Sequence, residues 1–139
     1  IENFNEQYGQ DADAYIRKYH DTFAIAVKNT STEKRKRFSI AHELGHLFLH
    51  MGYLIDDDLW NSVDTYVDSV WHRMGYNEEE FEAHEFAASL LMPEEEFIKI
   101  SKDNFSDGYY SLDKIAEHFN VSNKAAKVRG CWLGIFSWD

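Results

Sequence analysis

The stretch RFSIAHELGHLFLH, residues 37–50, decides how this chain folds and where its chemistry lies. Its second part is apolar on nearly every side of a helix, which is typical of a buried central helix. The Thr-Ser-Thr-Glu run at residues 30–33 fits a capping box, so the helix is predicted over residues 31–50. Three ionisable side chains, His42, Glu43 and His46, lie in the apolar half, where they are costly to bury unless something satisfies them.

These three residues have the spacing of a metal site. His42 and His46 are four residues apart, so they share one helix face and their ring nitrogens can converge on one Zn²⁺. Glu43 then lies beside the open metal position and can take a proton from water and return it to a leaving amine. Only roughly 0.03 such patterns are expected by chance in this composition. His50 is about 12 Å further along the axis than His42, so we expect it outside the coordination sphere, at the negative helix end.

The third metal ligand is expected from a second helix, predicted over residues 78–91. This helix has an apolar stripe that includes Ala83, whose small side chain allows a close approach to the metal helix. Glu82 and His84 flank the stripe on opposite sides, and Glu79 lies on it one turn earlier. Periodicity alone does not choose among these three residues.

The remaining sequence predicts one helix-rich α+β domain over residues 1–139. Alternating apolar residues over 14–28 predict an antiparallel hairpin. A segment with near-helical spacing follows an acidic loop, over residues 56–74, and residues 111–130 are interpreted as two short helices. The spacing in 111–130 also resembles a helix-turn-helix, but this segment is only slightly basic, which argues against phosphate binding.

Composition excludes several classes of protein. The chain has 139 residues and a formal net charge of −11, which disfavours non-specific binding to nucleic acid or to an anionic membrane surface. Its single cysteine, Cys131, excludes an intrachain disulfide framework. No apolar run approaches the roughly 18 residues that span a bilayer, so we expect a cytoplasmic protein without membrane partners.

In the metal helix and in several stretches outside it, the chain resembles the ImmA/IrrE family of zinc metallopeptidases. The resemblance rests on the VKN at 27–29, on RFSIAHELGH at 37–46 and on EFEAHEFAASLLMP at 80–93, and extends through IAEHFNVS at 115–122. It covers roughly residues 14–134. The HExxH pattern alone is shared by many metallopeptidases, whereas its combination with the EA-x-x-FA-x-x-LLMP stretch is far more specific.

The resemblance implies a zincin-type fold, in which a small antiparallel sheet lies beside a buried HExxH helix. It makes His42 and His46 ligands of one Zn²⁺ per chain and Glu43 the general base. The carboxylate directly before the alanine of the second motif becomes the third ligand, which here is Glu82. His84 departs from the family, which commonly has Asn at this position.

Two further features are left open by the resemblance. The stretch between His46 and Glu82 is longer than usual, and its segment 56–74 is interpreted as a packing helix, with a lid or a docking surface as the alternative. The residue that polarises the substrate carbonyl has four unranked candidates: Tyr53, Tyr66, His72 and Tyr76.

The leading functional hypothesis is a zinc-dependent endopeptidase that cleaves a protein partner. Family resemblance points to a helix-turn-helix transcriptional repressor of a mobile element, phage or stress regulon as that partner. The alternative is a non-catalytic, zinc-stabilised binding module that sequesters a repressor or toxin. An intact Glu43 argues against the alternative, because a purely structural site needs no general base and is usually closed by four protein ligands. No direct contact with nucleic acid is expected.

Overall fold

A computed structural model describes residues 1–5, 13–63 and 78–138. The expected helix-rich α+β class is confirmed, with two small antiparallel sheets of two strands each. The chain divides into two compact units, Ile1–Ala87 and Ala88–Asp139. The description of residues 1–139 as one domain stays a prediction. Among the described helices, none is both long and apolar enough to cross a membrane.

The first unit begins with the hairpin expected over residues 14–28. Strand β1 (Ala14–Tyr19) pairs antiparallel with β2 (Thr22–Val27) in a register that joins Ala14 to Val27 and Tyr19 to Thr22. On the other side of β2, the backbone N–H of Glu2 donates to the carbonyl of Ile25 at 2.8 Å. This parallel bridge occupies part of the outer edge of β2.

Helix α1 (Glu33–Gly45) follows, and it begins differently from the prediction. Thr32 is its N-cap and accepts a hydrogen bond from the backbone N–H of Arg35 at 3.2 Å, so the capping residue lies two positions after Thr30. The capping box that joins Thr30 to Glu33 is therefore not formed. Glu33 instead lies in the first turn, where a carboxylate favours the positive end of the helix dipole.

The predicted single α-helix over 31–50 ends in a turn of another kind. Residues His46–His50 form a π-helical turn, in which the N–H of Met51 donates to the carbonyl of His46 at 2.9 Å. Such turns are rare and are found mostly as single bulges within α-helices. The apolar half is also less enclosed than expected, because Leu47 is fully buried whereas Leu49 is 46% exposed.

The core of the first unit lies between the hairpin and this helical segment. It consists of the buried residues Ile16, Ile25, Leu47, Met51 and Trp60. Trp60 comes from a short helix, α2 (Asp57–Ser62), whose N-cap Asp56 accepts from the N–H of Leu59 at 3.1 Å. The segment expected over 56–74 is thus helical from Asp57 to Ser62, and its residues 64–74 lie outside the described part of the chain.

Helix α3 (Glu78–Leu91) matches the predicted range of 78–91. Its buried residues in the first unit are Glu80, Ala83 and Ala87. These positions are three and four residues apart, so they form one face of the helix. The sequence also predicts that Asn77 caps this helix together with Glu80, three residues later, and Asn77 lies outside the described residues.

The second unit is built around its own apolar core. It contains α4 (Glu94–Asp103), a two-stranded hairpin of β3 (Phe105–Ser106) and β4 (Tyr109–Tyr110), α5 (Leu112–Phe119) and α6 (Asn123–Trp132). Its core consists of Met92, Phe97, Ile115, Ala116, Phe119, Val121 and Ala126. The two helices expected over 111–130 are present, and they bury their apolar faces in this core.

Candidate metal site

The site lies beside a close approach of α1 and α3 within the first unit. A Cβ atom placed on Gly45 of α1 would lie 2.9 Å from the Cα atom and 3.0 Å from the carbonyl oxygen of Ala83 on α3. These distances leave no room for a side chain at position 45. The two small residues therefore set the spacing between the helices, and this spacing brings the polar groups of both helices together.

The Gly45→Ala variant tests this contact. The added methyl group would push against backbone atoms of Ala83, so we expect the free energy of unfolding to fall by about 1–3 kcal/mol. In an open helix the same change would stabilise, because alanine is the better helix former by about 1 kcal/mol. Urea unfolding followed by circular dichroism measures the change. A variant more stable than the wild type would contradict the close approach.

Three potential metal ligands meet at this crossing. The Glu80 carboxylate lies between the two histidine rings, with Oε2 at 3.1 Å from Nε2 of His42 and Oε1 at 2.7 Å from Nε2 of His46. One ligand atom from each residue lies within 4.8 Å of the others. The His46 side chain is completely buried, and those of His42 and Glu80 are 12% and 10% exposed. The group is thus enclosed, with its remaining exposure at His42 and Glu80.

This donor set fits a divalent metal ion. Catalytic zinc sites use three protein ligands, often two histidines and a carboxylate, and keep the fourth position for water or substrate. His42, His46 and Glu80 supply that combination from two helices that a tight contact holds in place. Two imidazoles and one carboxylate also suit other divalent metals, so the donors define a metal site and leave the ion itself open.

The protonation states of the group favour metal binding. Burial lowers the pKa of His46, which outweighs the opposing effects of Glu80 and Glu43, and so favours the neutral ring that binds metal. Burial by itself would raise the pKa of Glu80. Hydrogen bonds to His42 and His46 outweigh it and hold the pKa of Glu80 well below its usual range. At neutral pH the carboxylate is therefore ionised.

Glu43 lies in the same buried environment without being a member of the three-residue group. Its side chain is fully buried, and its negative charge raises the pKa of His46, so the carboxylate is close enough to act on that ring. A buried carboxylate is costly unless it is compensated by charge or hydrogen bonding. A metal ion held by His42 and His46 would provide such compensation.

In the structure the carboxylate that lies between the two histidine rings is that of Glu80 and not the expected Glu82. Glu82 is half exposed, and its Oε1 lies 3.4 Å from Nε2 of His50. Residues two apart in a helix do not share a face, so the carboxylates of Glu80 and Glu82 cannot both point at the two histidines. The signal was present in the sequence: Glu80 is three residues before Ala83 and hence on the face that approaches α1.

Neither of the other two candidates for the third ligand joins the group. Glu79 is half-buried on α3 and lies outside the cluster of potential ligands. The His84 ring packs against the rings of Phe38 and His42, with centroids 4.9 Å and 6.0 Å away. His84 therefore borders the site as a neighbour of His42, at the position where the family commonly has Asn.

His50 lies outside the ligand group, as expected, but it contacts the group through His46. The Nδ1 atoms of the two rings are 2.8 Å apart, and the His50 side chain is 7% exposed. The sequence predicts for His50 only a place at the negative end of the helix. The spacing of four residues between the two histidines was the available sign of this contact.

The described part of the chain contains one of the four candidates for polarising a substrate carbonyl. The Tyr53 ring packs edge-on against those of Phe23 and Trp60, beside the apolar core of the first unit. These contacts give Tyr53 a packing role. Tyr66, His72 and Tyr76 lie outside the described residues.

A buried HExxH segment that contacts a carboxylate of a second helix is typical of metal-dependent peptidases. This protein is similar to that class. The family model of the IrrE N-terminal-like domain, a peptidase family, matches residues 3–129. The chain therefore belongs to this family, and the resemblance to ImmA/IrrE proteins is confirmed. Among curated proteins, none matches the chain.

Proposed function

We propose that this protein is a zinc-dependent endopeptidase that cleaves a protein partner. The observation that carries the proposal is the convergence of His42, His46 and Glu80 beside the buried carboxylate of Glu43. Membership of a peptidase family supports the same activity. A structural zinc site would usually be closed by four protein ligands, whereas the described residues bring three together.

Each residue has a distinct task in this proposal. His42, His46 and Glu80 would hold the ion, and a bound zinc ion would lower the pKa of a water molecule and polarise the scissile carbonyl. Glu43 accepts a proton from the attacking water and returns it to the nitrogen of the leaving amine. Its burial supports this role, because a carboxylate with little water around it interacts more strongly with a proton donor.

The substrate is proposed to bind as an extended strand. The antiparallel hairpin of β1 and β2 is proposed to offer the strand edge for this pairing. Pairing with a strand edge gives affinity through main-chain hydrogen bonds, whatever the substrate sequence. The resemblance to ImmA/IrrE proteins supports a helix-turn-helix repressor of a mobile element, phage or stress regulon as the cleaved protein.

Metal content of the purified protein tests the proposed site. We expect about one zinc ion per wild-type chain by elemental analysis, and loss of the ion from His42→Ala, because two ligands do not hold the metal tightly. The matched control is His118→Ala, since His118 pairs with Glu96 on the surface of the second unit. Wild-type protein that stays metal-free after zinc is offered would overturn the proposal, and a metal-loaded protein without cleavage would favour a sequestering module.

A further inference from the structure

We propose that His50 and Glu82 are positioning residues that hold the His46 ring in its metal-binding tautomer. The two residues extend a chain of polar contacts from the buried site to the surface, in the order Glu80, His46, His50 and Glu82. This inference rests on the proposed function, because it concerns a ligand of the same metal site. It assigns a role to two side chains that the proposed hydrolysis does not use directly.

The distances define the direction of the chain. Nε2 of His46 faces the Glu80 carboxylate at 2.7 Å, and Nδ1 of the same ring lies 2.8 Å from Nδ1 of His50. The far nitrogen of His50, Nε2, is 3.4 Å from Oε1 of Glu82. The side-chain exposure rises along the chain from 0% for His46 to 7% for His50 and 49% for Glu82.

With an ion at Nε2 of His46 and both rings neutral, one arrangement of protons satisfies the two contacts that lie beyond His46. If Nε2 of His46 binds a metal, its proton must be on Nδ1, which then donates to Nδ1 of His50. Nδ1 of His50 is consequently an acceptor, and its proton is on Nε2, which faces the Glu82 carboxylate. Glu82, as an acceptor-only carboxylate, favours this tautomer of His50, and His50 in turn favours the metal-binding tautomer of His46.

The π-helical turn supplies the geometry for this contact. A π turn contains more residues than an α turn, so it rotates the residues at its end around the helix axis. His46 and His50 are the first and last residues of this turn, and their Nδ1 atoms meet at 2.8 Å. π turns are frequent at functional sites, and here the turn begins at a potential metal ligand.

Partners of this kind orient metal-bound histidines in many proteins. A ligating histidine usually donates its second ring N–H to another group, and loss of that group typically costs 10–100-fold in metal affinity. For His46 the described acceptor is a second imidazole, which is itself paired with a carboxylate. We therefore expect His50 to matter more for metal affinity than Glu82, because it contacts the ligand directly.

Zinc affinity and ring tautomers together test the inference. In His50→Phe we expect the zinc affinity, measured by competition with a chromophoric chelator, to fall about 10–100-fold. His50→Gln should recover part of this loss, because its amide oxygen can accept from Nδ1 of His46. The control is His118→Phe, which makes the same replacement in the second unit and should leave the affinity unchanged. Circular dichroism verifies that each variant is folded.

The tautomers are read from ¹⁵N NMR of the histidine rings in the metal-free protein. In the wild type the contact with Glu80 favours a proton on Nε2 of His46 and the contact with His50 favours one on Nδ1. We expect the fraction of His46 protonated at Nδ1 to fall in His50→Phe, because only the Glu80 contact remains. A wild-type zinc affinity together with an unchanged His46 tautomer in His50→Phe would overturn the inference and leave the proposed function intact. Failure of the wild type to bind zinc would instead overturn the proposed function, and the tautomers of the metal-free protein would still decide the role of His50.

Discussion

Replacing Glu43 with glutamine is expected to lower the rate of peptide-bond cleavage strongly and to leave the metal bound. Glutamine has nearly the same size as glutamate, so the fully buried position keeps its packing. Its amide cannot accept the proton of an attacking water, and general base catalysis of this kind typically contributes 10²–10⁴-fold. We therefore expect the cleavage rate to fall by about 10²–10⁴-fold, with zinc content unchanged at one ion per chain.

A proteome-derived peptide library provides the substrate for this measurement. New amino termini generated by wild-type protein are counted by mass spectrometry, and the same library is treated with Glu43→Gln. Glu79→Gln is the matched control, since it makes the same substitution on a carboxylate outside the ligand group. Cleavage by Glu43→Gln at the wild-type rate would contradict the role of Glu43 as the general base.

Replacing Glu80 with alanine is expected to eliminate stoichiometric zinc binding, and Glu82→Ala is expected to retain it. Glu80 contacts both potential histidine ligands, at 3.1 Å and 2.7 Å, while the Glu82 carboxylate faces His50. We expect the affinity of Glu80→Ala to fall by more than the 10–100-fold that loss of an outer partner costs. Glu82→Ala should lose at most about 10-fold, at the lower end of that range.

The pair of variants controls for stability as well as for charge. Both substitutions remove one carboxylate from the same helix and introduce a strong helix former, so a general effect on α3 would appear in both. Zinc content after gel filtration and affinity by chelator competition are the two measurements. Retention of zinc by Glu80→Ala with loss by Glu82→Ala would show that the Glu82 carboxylate is the ligand.

The histidine pair and the hairpin could be predicted because their patterns are local. The spacing of four residues between His42 and His46 places both rings on one face of any helix. Alternation of apolar residues over 14–28 likewise determines a strand pair from neighbouring residues alone. For such features the rest of the fold changes the exposure of the side chains but not their relative positions.

The third member of the site was harder to predict because it depends on how one helix faces another. The choice among the acidic residues of α3 is made by the rotation of the helix around its axis, and the contact between Gly45 and Ala83 sets this rotation. Glu80, Ala83 and Ala87 share the buried face. If Ala83 is taken as the point where α3 contacts α1, Glu80 is selected, because it lies three residues earlier on the same face. Its position near the start of the helix instead suggested a capping residue.

The π-helical turn over His46–His50 could not be predicted from the sequence. Its residues have the composition of an ordinary apolar helix, and no spacing pattern distinguishes a hydrogen bond to the fifth residue from one to the fourth. Its first and last residues, His46 and His50, contact each other through their Nδ1 atoms. Its position next to the ligand group therefore became evident only in three dimensions.

X-ray absorption spectroscopy of the zinc-loaded protein tests the central claim most directly, because it reports the ligands of the ion itself. The claim is an open site formed by His42, His46 and Glu80. It predicts two imidazole ligands, with the remaining positions filled by oxygen and every bond near 2.0–2.2 Å. A spectrum with three or more imidazoles, or with a sulfur ligand at about 2.3 Å, would contradict the claim and indicate a closed structural site.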